Sequence, residues 1–320
     1  MSPGKRATEV AFNMRLRSSQ GEQRDLALPA GAVLQKLVID GAEQPVQQGL
    51  NKVPLSITPG SHAIMLNWRQ DDGIGPRFET PALDLGLPAV NNVIKVSMPR
   101  DRWILFAGGP KIGPAILFWG VLLVILLMAF ALGQTRATPL KTHHWILLGI
   151  GFSQAPVWMP ALVAAWFFLL AYRERQPATV SDSRFNTLQA LLVFTTFLSA
   201  AFMIYAIWQG LLGLPSMQII GNGSWEYELN WYQDRAEGAL PSAWVISVPI
   251  FVYRLLMLAW ALWLAFTLLN WVQWGWRCFS NHGLWRRVSV PMIKKKPRPE
   301  QPAEQDEAIK EIDIDPWTDA

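Results

Sequence analysis

The sequence predicts a membrane protein of mixed α and β class: an N-terminal antiparallel β-sandwich followed by a small transmembrane helical bundle. Three observations carry that prediction. Residues 113–133, GPAILFWGVLLVILLMAFALG, hold no charge, and at ~1.5 Å per residue a helix of that length matches the ~30 Å hydrocarbon core of a bilayer. The chain is 51% hydrophobic and only 16% charged, against about 25% charged in soluble domains. Its seventeen tryptophans fit the headgroup boundary, where an indole is half buried and half hydrated. The first hundred residues differ from the rest: apolar side chains recur there at every second position.

In that first part, 1–100, Val10, Phe12, Met14 and Leu16 point one way, while Ala11, Asn13, Arg15 and Arg17 point the other. Period two with one polar face is a half-buried strand. Leu26 and Leu28, then Val53, Leu55 and Ile57, then Ile64, Leu66 and Trp68, then Ile94, Val96 and Met98 repeat the pattern. Turn signals separate them at Pro29 to Gly31, Asp40-Gly41, Pro59-Gly60 and Asp71 to Pro76. Short strands at roughly ten-residue spacing predict a sandwich or Greek key. His62 reads as an outward strand residue, because no second His or Cys accompanies it.

Residues 101–112 carry Trp103 to Phe106 between Arg100, Arg102 and Lys111, which reads as an interfacial collar feeding the first span. The bundle occupies 113–277. After the first run come Trp145 to Tyr172, interrupted by Gly149, Gly151, Pro156 and Pro160; Leu188 to Gln209; and Val248 to Val272. In the third run, Thr195, Thr196 and Ser199 can satisfy their hydroxyls on the preceding turn or a neighbouring helix.

Cations mark cytoplasmic loops. Arg136 and Lys141 follow the first run, Arg173, Arg175 and Arg184 the second, and Arg277, Arg286, Arg287, Lys294, Lys295, Lys296 and Arg298 the last. The 210–244 loop instead holds one cation, Arg235, against Glu226, Glu228, Asp234 and Glu237. All loops obey the rule when the broken run is a re-entrant or interfacial helical hairpin turning near Ser153 to Pro160, giving three spans and a periplasmic β-domain. Four full spans, with the β-domain inside and Lys141 outside, is the competing reading.

The segment 210–244 is expected to be a periplasmic hairpin turning at Asn222-Gly223. In the strand after it, Trp225, Tyr227, Leu229 and Trp231 share one face, and Glu226, Glu228, Asn230 and Tyr232 the other. Such a strand can lay its rings on headgroups or on the β-domain. It can also serve as a binding platform, with Trp225, Glu226, Tyr227, Glu228, Trp231 and Asp234 as candidate residues and Arg254, the ionisable residue within the last run, as their partner. Arg254 is expected near the outer end, reaching the interface or pairing with Glu226, Glu228 or Asp234. A catalytic pair of Glu226 and Glu228 is possible by residue type, but residues i and i+2 on an exposed strand are ordinarily solvated, so no catalytic residue is assigned. No cofactor or metal site is expected: His143 and His144 have no carboxylate beside them in sequence, the single Cys278 excludes an internal disulfide, and there is no Walker loop, G-x-S-x-G, H-E-x-x-H or dinucleotide fingerprint. The small net charge of +4, with cations bunched beside apolar runs, speaks against nucleic acid.

The tail, 278–320, is expected to be a disordered cytoplasmic segment. Its basic part, including Arg286, Arg287, Lys294, Lys295 and Lys296, is expected on anionic lipid, and its acidic part carries Ile309, Ile312, Ile314 and Trp317 as a candidate docking segment.

The chain resembles the C-terminal portion of large envelope proteins of the Gram-negative inner membrane. The phrases that carry the resemblance are RDLALPAGAVLQKLVIDG, GSHAIMLNWR, TPALDLGLPAVN, RWILFAGGPKIGPAILFWG, and LNWYQDR through SVPIFVYRLLMLAWALWLA. It implies an architecture and carries no site residue. MSPGKRATEV has no apolar h-region behind its basic start, so export of the β-domain leads to the expectation that the chain continues a longer protein or a split reading frame. The function expected from the sequence is a non-catalytic bacterial envelope module binding a partner protein, lipid or glycan. The alternative is a membrane-embedded enzyme or transport component acting on a lipid-linked or sugar substrate.

Overall fold

Eleven strands precede the first helix in the computed structural model, which describes residues 1–46, 52–135, 137–177 and 179–286. They are β1 (Ser2–Pro3), β2 (Thr8–Ser18), β3 (Glu22–Ala27), β4 (Ala32–Ile39), β5 (Ala42–Gln44), β6 (Lys52–Ile57), β7 (Gly60–Gln70), β8 (Arg77–Glu79), β9 (Asp84–Ser97), β10 (Arg102–Gly108) and β11 (Ala115–Ile116). Four helices follow: α1 (Phe118–Gly133), α2 (Thr142–Gly151), α3 (Trp158–Glu174) and α4 (Asp182–Leu212). The chain then returns to sheet as β12 (Ile219–Ile220), β13 (Glu228–Ala239) and β14 (Trp244–Pro249), and ends its regular structure in α5 (Ile250–Ser280).

The alternating residues of the first part do what their period demands. A five-stranded antiparallel sheet, β1-β2-β7-β4-β5, packs against the pair β3-β6. Val10, Leu26, Leu28, Val53, Leu55, Ile57, Ile64, Leu66 and Trp68 are all buried between them. Asp40 and Gly41, with φ of 51° and 83°, make the two-residue turn that sends β4 into β5, the turn geometry whose twist matches the right-handed twist of the flanking strands.

The β-portion does not end at residue 100. Strand β13 pairs antiparallel with β9 from Glu228↔Ser97 to Ala239↔Asp84, and β14 inserts between β10 and β8. These two sheets enclose a second core of Phe78, Ile94, Val96, Met98, Ile104, Leu229, Trp231, Ala243 and Val245. The segment read as an interfacial collar is therefore the strand β10, and the 210–244 segment is not a free-standing hairpin. The Asn222-Gly223 turn exists, with φ of 47° and 70° and Ser224 N donating to the Gly221 carbonyl at 2.8 Å. The strands on its two sides nonetheless take different partners, β12 pairing with β11 and β13 with β9.

Two helices, α4 and α5, are long and apolar enough to cross a membrane, and α1 is a shorter apolar helix. The run from Trp145 to Tyr172 divides into α2, a 3-10 turn at Phe152–Gln154, and α3. Its turn meets the β-side of the bundle, where Gln154 Oε1 accepts from Ser216 N at 2.9 Å. Both its ends lie at the opposite pole: Gly133, closing α1, touches Thr142, Arg175 Nη2 donates to the Ala137 carbonyl, and Asn281 Nδ2 to the Glu174 carbonyl. α2 and α3 thus make a helical hairpin, and Lys141, Arg173, Arg175, Arg277 and Arg286 gather at the pole away from the sheets. Arg136 and the tail from Arg287 lie outside the described residues, so the anionic-lipid role expected of Arg287, Lys294, Lys295 and Lys296 has no structural counterpart here.

Helix α5 buries one stripe, Tyr253, Met257, Trp260, Leu264, Trp271, Trp274 and Cys278, at the three- and four-residue spacing of a single helix face. Gly151 permits the contact with that stripe: a Cβ there would lie 1.9 Å from Cε2 of Trp260, whose Nε1 donates to the Leu147 carbonyl at 2.7 Å. On α4 the hydroxyls of Thr195 and Thr196 bond back to the preceding turn, as expected, whereas the buried Ser199 Oγ has no partner.

Candidate functional site

The aromatic strand is the natural place to look for a site, and its side chains divide by burial. Leu229 is 0% and Trp231 1% exposed, because pairing with β9 turns that face of β13 into the second core. Gly113 makes room for the indole: a Cβ there would stand 2.3 Å from Trp231 Cδ1. Burial thus removes Trp231 from any surface a ligand could touch. Tyr227 packs at the rim of the same core; burial first, then neighbouring Glu226, holds its phenol above the usual range.

Trp225, 50% exposed, and Glu228 are brought together. Their backbones exchange two hydrogen bonds of 2.9 Å across a tight turn, and Trp225 Nε1 donates to Glu228 Oε2 at 3.1 Å. Glu226 and Asp234 are exposed, and Asp234 approaches its neighbour Arg235 at 4.0 Å. Arg254 is exposed one turn into α5 and pairs with none of Glu226, Glu228 or Asp234. The residues chosen from sequence therefore make a structural turn and a sheet, and they do not converge on a common point.

Two polar constellations escaped the sequence reading. At one end of the five-stranded sheet His62 Nδ1 stands 2.6 Å from Asp40 Oδ2, and its Nε2 stands 2.9 Å from the Thr58 carbonyl. The Asp40 carboxylate and the Thr58 carbonyl are acceptors, so this geometry favours the doubly protonated ring, with the Thr58 hydroxyl 3.3 Å from Nε2 as well. Bonding to Asp40, then to Thr58, raises the His62 pKa above its ordinary 6.5. The Ala63 N–H, then His62, holds Asp40 below its ordinary 3.8. Both ring nitrogens face partners within the protein, so the Asp-His-Thr grouping acts as a structural clip. It ties the β4–β5 turn to the β6–β7 turn. The only clue in the sequence is the Asp40-Gly41 turn signal, since the partner lies 22 residues further along the chain, on the neighbouring strand β7.

The second constellation is at the cationic pole. Arg173, read from sequence as one of the cations marking a cytoplasmic loop, is 0% exposed. Its Nε donates to Gln189 Oε1 at 3.2 Å and its Nη2 to the Asn281 carbonyl, and its guanidinium carbon lies 4.4 Å from the Phe185 ring centre.

Arg102 likewise is a strap: Nη2 donates to the carbonyls of Ser247, at 2.7 Å, and Gly75, and Nε to Ser247 Oγ at 3.2 Å. Burial lowers its pKa. Among the described residues no three His, Cys, Asp or Glu side chains are grouped to hold a metal.

The outer face of the five-stranded sheet carries an open depression of 420 Å³ lined by Asn13, Met14, Arg15, Val38, Gly41, Ala63, Ile64 and Met65. Comparison with family models, with curated proteins and with solved structures found no match to the chain.

Proposed function

We propose that the chain is a multi-pass protein of a bacterial inner membrane and a non-catalytic envelope module. In this reading α1, α4 and α5 span the bilayer, and the α2–α3 hairpin enters from the cytoplasmic side and returns to it. The β-portion stands in the periplasm as a binding surface for a partner protein, lipid or glycan. The observation that carries the reading is the outward face of the bundle. Leu123, Val124, Leu127 and Met128 on α1, Phe194, Phe197, Ile204 and Trp208 on α4, and Leu255, Leu262, Phe266, Leu269 and Val272 on α5 are exposed. A continuous apolar belt of this kind needs a non-aqueous neighbour. Arg254 and Arg277, both exposed, bracket an uncharged stretch of α5 whose length, ~34 Å at 1.5 Å per residue, fits the hydrocarbon core. Cations gathered at the pole away from the sheets favour that pole as the cytoplasmic one.

The β-portion is mounted without a linker: β14 runs directly into α5 at Pro249-Ile250. Trp119 bonds to the Leu105 carbonyl and stacks on Phe106, and Trp103 meets Tyr253 edge-on at 5.2 Å. Rigid presentation of a sheet face suits a docking role. A membrane-embedded enzyme acting on lipid-linked or sugar substrates would want a polar route from Arg254 to the 226–234 segment, and Arg254 points outward instead.

Alkaline extraction and membrane-impermeant thiol labelling test the reading, with Cys278 buried and so a weak background. The expected result is retention in the membrane pellet, with Lys141→Cys labelled from the cytoplasm and Arg254→Cys from the periplasm. Photo-crosslinking from Met65 then reports the partner. Release into the soluble fraction, or Lys141→Cys labelled from the periplasm alone, overturns it.

A further inference from the structure

We propose that the cationic pole of the bundle holds the phosphate of one anionic phospholipid on Arg286, with Arg173 behind it as a second, buried charge. The inference rests on the membrane reading given above and adds a site to it.

Arg173 has no carboxylate within ion-pair distance among the described residues, and its Nη1 is buried without an acceptor. The Arg286 guanidinium carbon lies 4.2 Å from the same Phe185 ring centre that Arg173 approaches at 4.4 Å, so two like charges stand within about 9 Å of each other. Among the described residues one acid answers them: Asp182 at 3.7 Å from Arg286 Nη1, which also donates to the Val180 carbonyl at 2.9 Å. Arg286 Nε and Nη2 have no acceptor among the described residues, and its side chain is 19% exposed. The pair therefore carries, among the described residues, one uncompensated positive charge, and the Arg173 side chain lies inside the protein, where an unpaired ion is costly.

The frame holding these side chains is built rather than loose. Asn186 bonds the Arg286 backbone in both directions, at 2.7 and 3.0 Å. Gln189 Nε2 donates to the Phe279 and Leu284 carbonyls, both at 3.0 Å. The loop after α5 is thus laced to α3 and α4, and the Arg286 fork is presented at a fixed place. A guanidinium with two free donors suits a phosphate oxygen pair. In the membrane reading this pole stands among the inner-leaflet headgroups, the level at which basic pockets between helices take anionic lipid. If Arg173 is only a structural strap, lipid composition is irrelevant to it.

The test uses the full chain in nanodiscs of phosphatidylcholine, of phosphatidylcholine with phosphatidylglycerol, and of phosphatidylcholine with added inorganic phosphate. Melting temperature and phospholipid retained in native mass spectra are read for wild type, Arg286→Gln, Arg173→Gln and, as a cation at the same pole without the ring partner, Arg277→Gln. Phosphatidylglycerol should raise the wild-type melting temperature and leave one retained lipid. Arg286→Gln should bind it about tenfold more weakly, and Arg277→Gln should resemble wild type. Equal retention by Arg286→Gln and wild type overturns the site, as does equal loss in Arg277→Gln. Inorganic phosphate giving the whole gain, with phosphatidylglycerol adding nothing, overturns the lipid as its source. Should Arg173→Gln fail to fold, Arg286→Gln decides the matter. A chain that stays soluble without detergent refutes the membrane reading itself, a separate result.

Discussion

Replacing Trp231 with alanine separates a strand that builds the core from a strand that offers its rings to a ligand. The indole is 1% exposed and seated against Gly113 and Gly109, above which a Cβ would lie 2.3 and 3.1 Å from its atoms. Contacts so close on both glycines leave the ring enclosed, and the backbone around it is tied into β9 and β10, so the space vacated by the ring cannot collapse. Trp→Ala in such a site costs about 3–5 kcal/mol. At about 2–4 °C per kcal/mol for a protein of this size, the melting temperature falls by roughly 6–20 °C. Trp225→Ala is the internal comparison: its ring is half exposed and its one side-chain bond, to Glu228, is at the surface, so the loss is about 1 kcal/mol or less. The assay is thermal unfolding of the full chain in nanodiscs, followed by far-ultraviolet circular dichroism with limited proteolysis of the β-portion. Equal melting temperatures for Trp231→Ala and wild type would refute the burial argument and restore the aromatic face as a ligand platform.

Gly151→Ala drives a Cβ into the Trp260 ring and its bond to Leu147; overpacking of about 1–3 kcal/mol should loosen the α2–α3 hairpin, seen as faster hydrogen exchange at Leu147 to Phe152. Arg102→Met removes three hydrogen bonds joining β10 to Ser247 and Gly75, and a loss of about 2–3 kcal/mol should appear as a lower denaturation midpoint with increased exchange at Ser247. The His62–Asp40 clip gives a pH dependence of definite sign. Because the folded His62 pKa is raised, its contribution is complete below pH 6.5 and is lost as pH rises through the folded value; Asp40, depressed, contributes above 3.8 and loses its share as pH falls. Nuclear magnetic resonance titration of His62 should give a midpoint above 6.5 that drops in Asp40→Asn, and an unchanged midpoint there would sink the assignment.

Much of this arrangement is legible locally. Val10 through Trp68 alternate because one face of each strand is buried, and the helical runs of α1, α4 and α5 are apolar over lengths that soluble strands never reach. Even the broken run from Trp145 to Tyr172 announces its turn: Gly151 closes α2, Pro156 falls between the helices, and Pro160 sits in the first turn of α3, where a missing N–H costs nothing. Other features are silent in the sequence. Nothing near Glu228 names Ser97 as its partner, and nothing near Arg102 names Ser247. A tight Asn222-Gly223 turn argues for a hairpin between its own flanks, and the open edge of β9 won that competition by burying Leu229 and Trp231. Arg173 reads as one more positive loop residue until α4 and the end of α5 close over it.

Periodicity, chain length and charge placement alone determined that strands come first, that apolar helices follow, and which pole collects the cations, because each is a property of neighbouring residues. Only the tertiary structure decided that the segment between α4 and α5 completes the N-terminal sheets, that Trp231 belongs to a core, and that Arg173 is enclosed beside Phe185 and Arg286. Those outcomes depend on which distant surfaces exclude water from one another, and side chains more than a hundred positions apart carry no local mark of that choice.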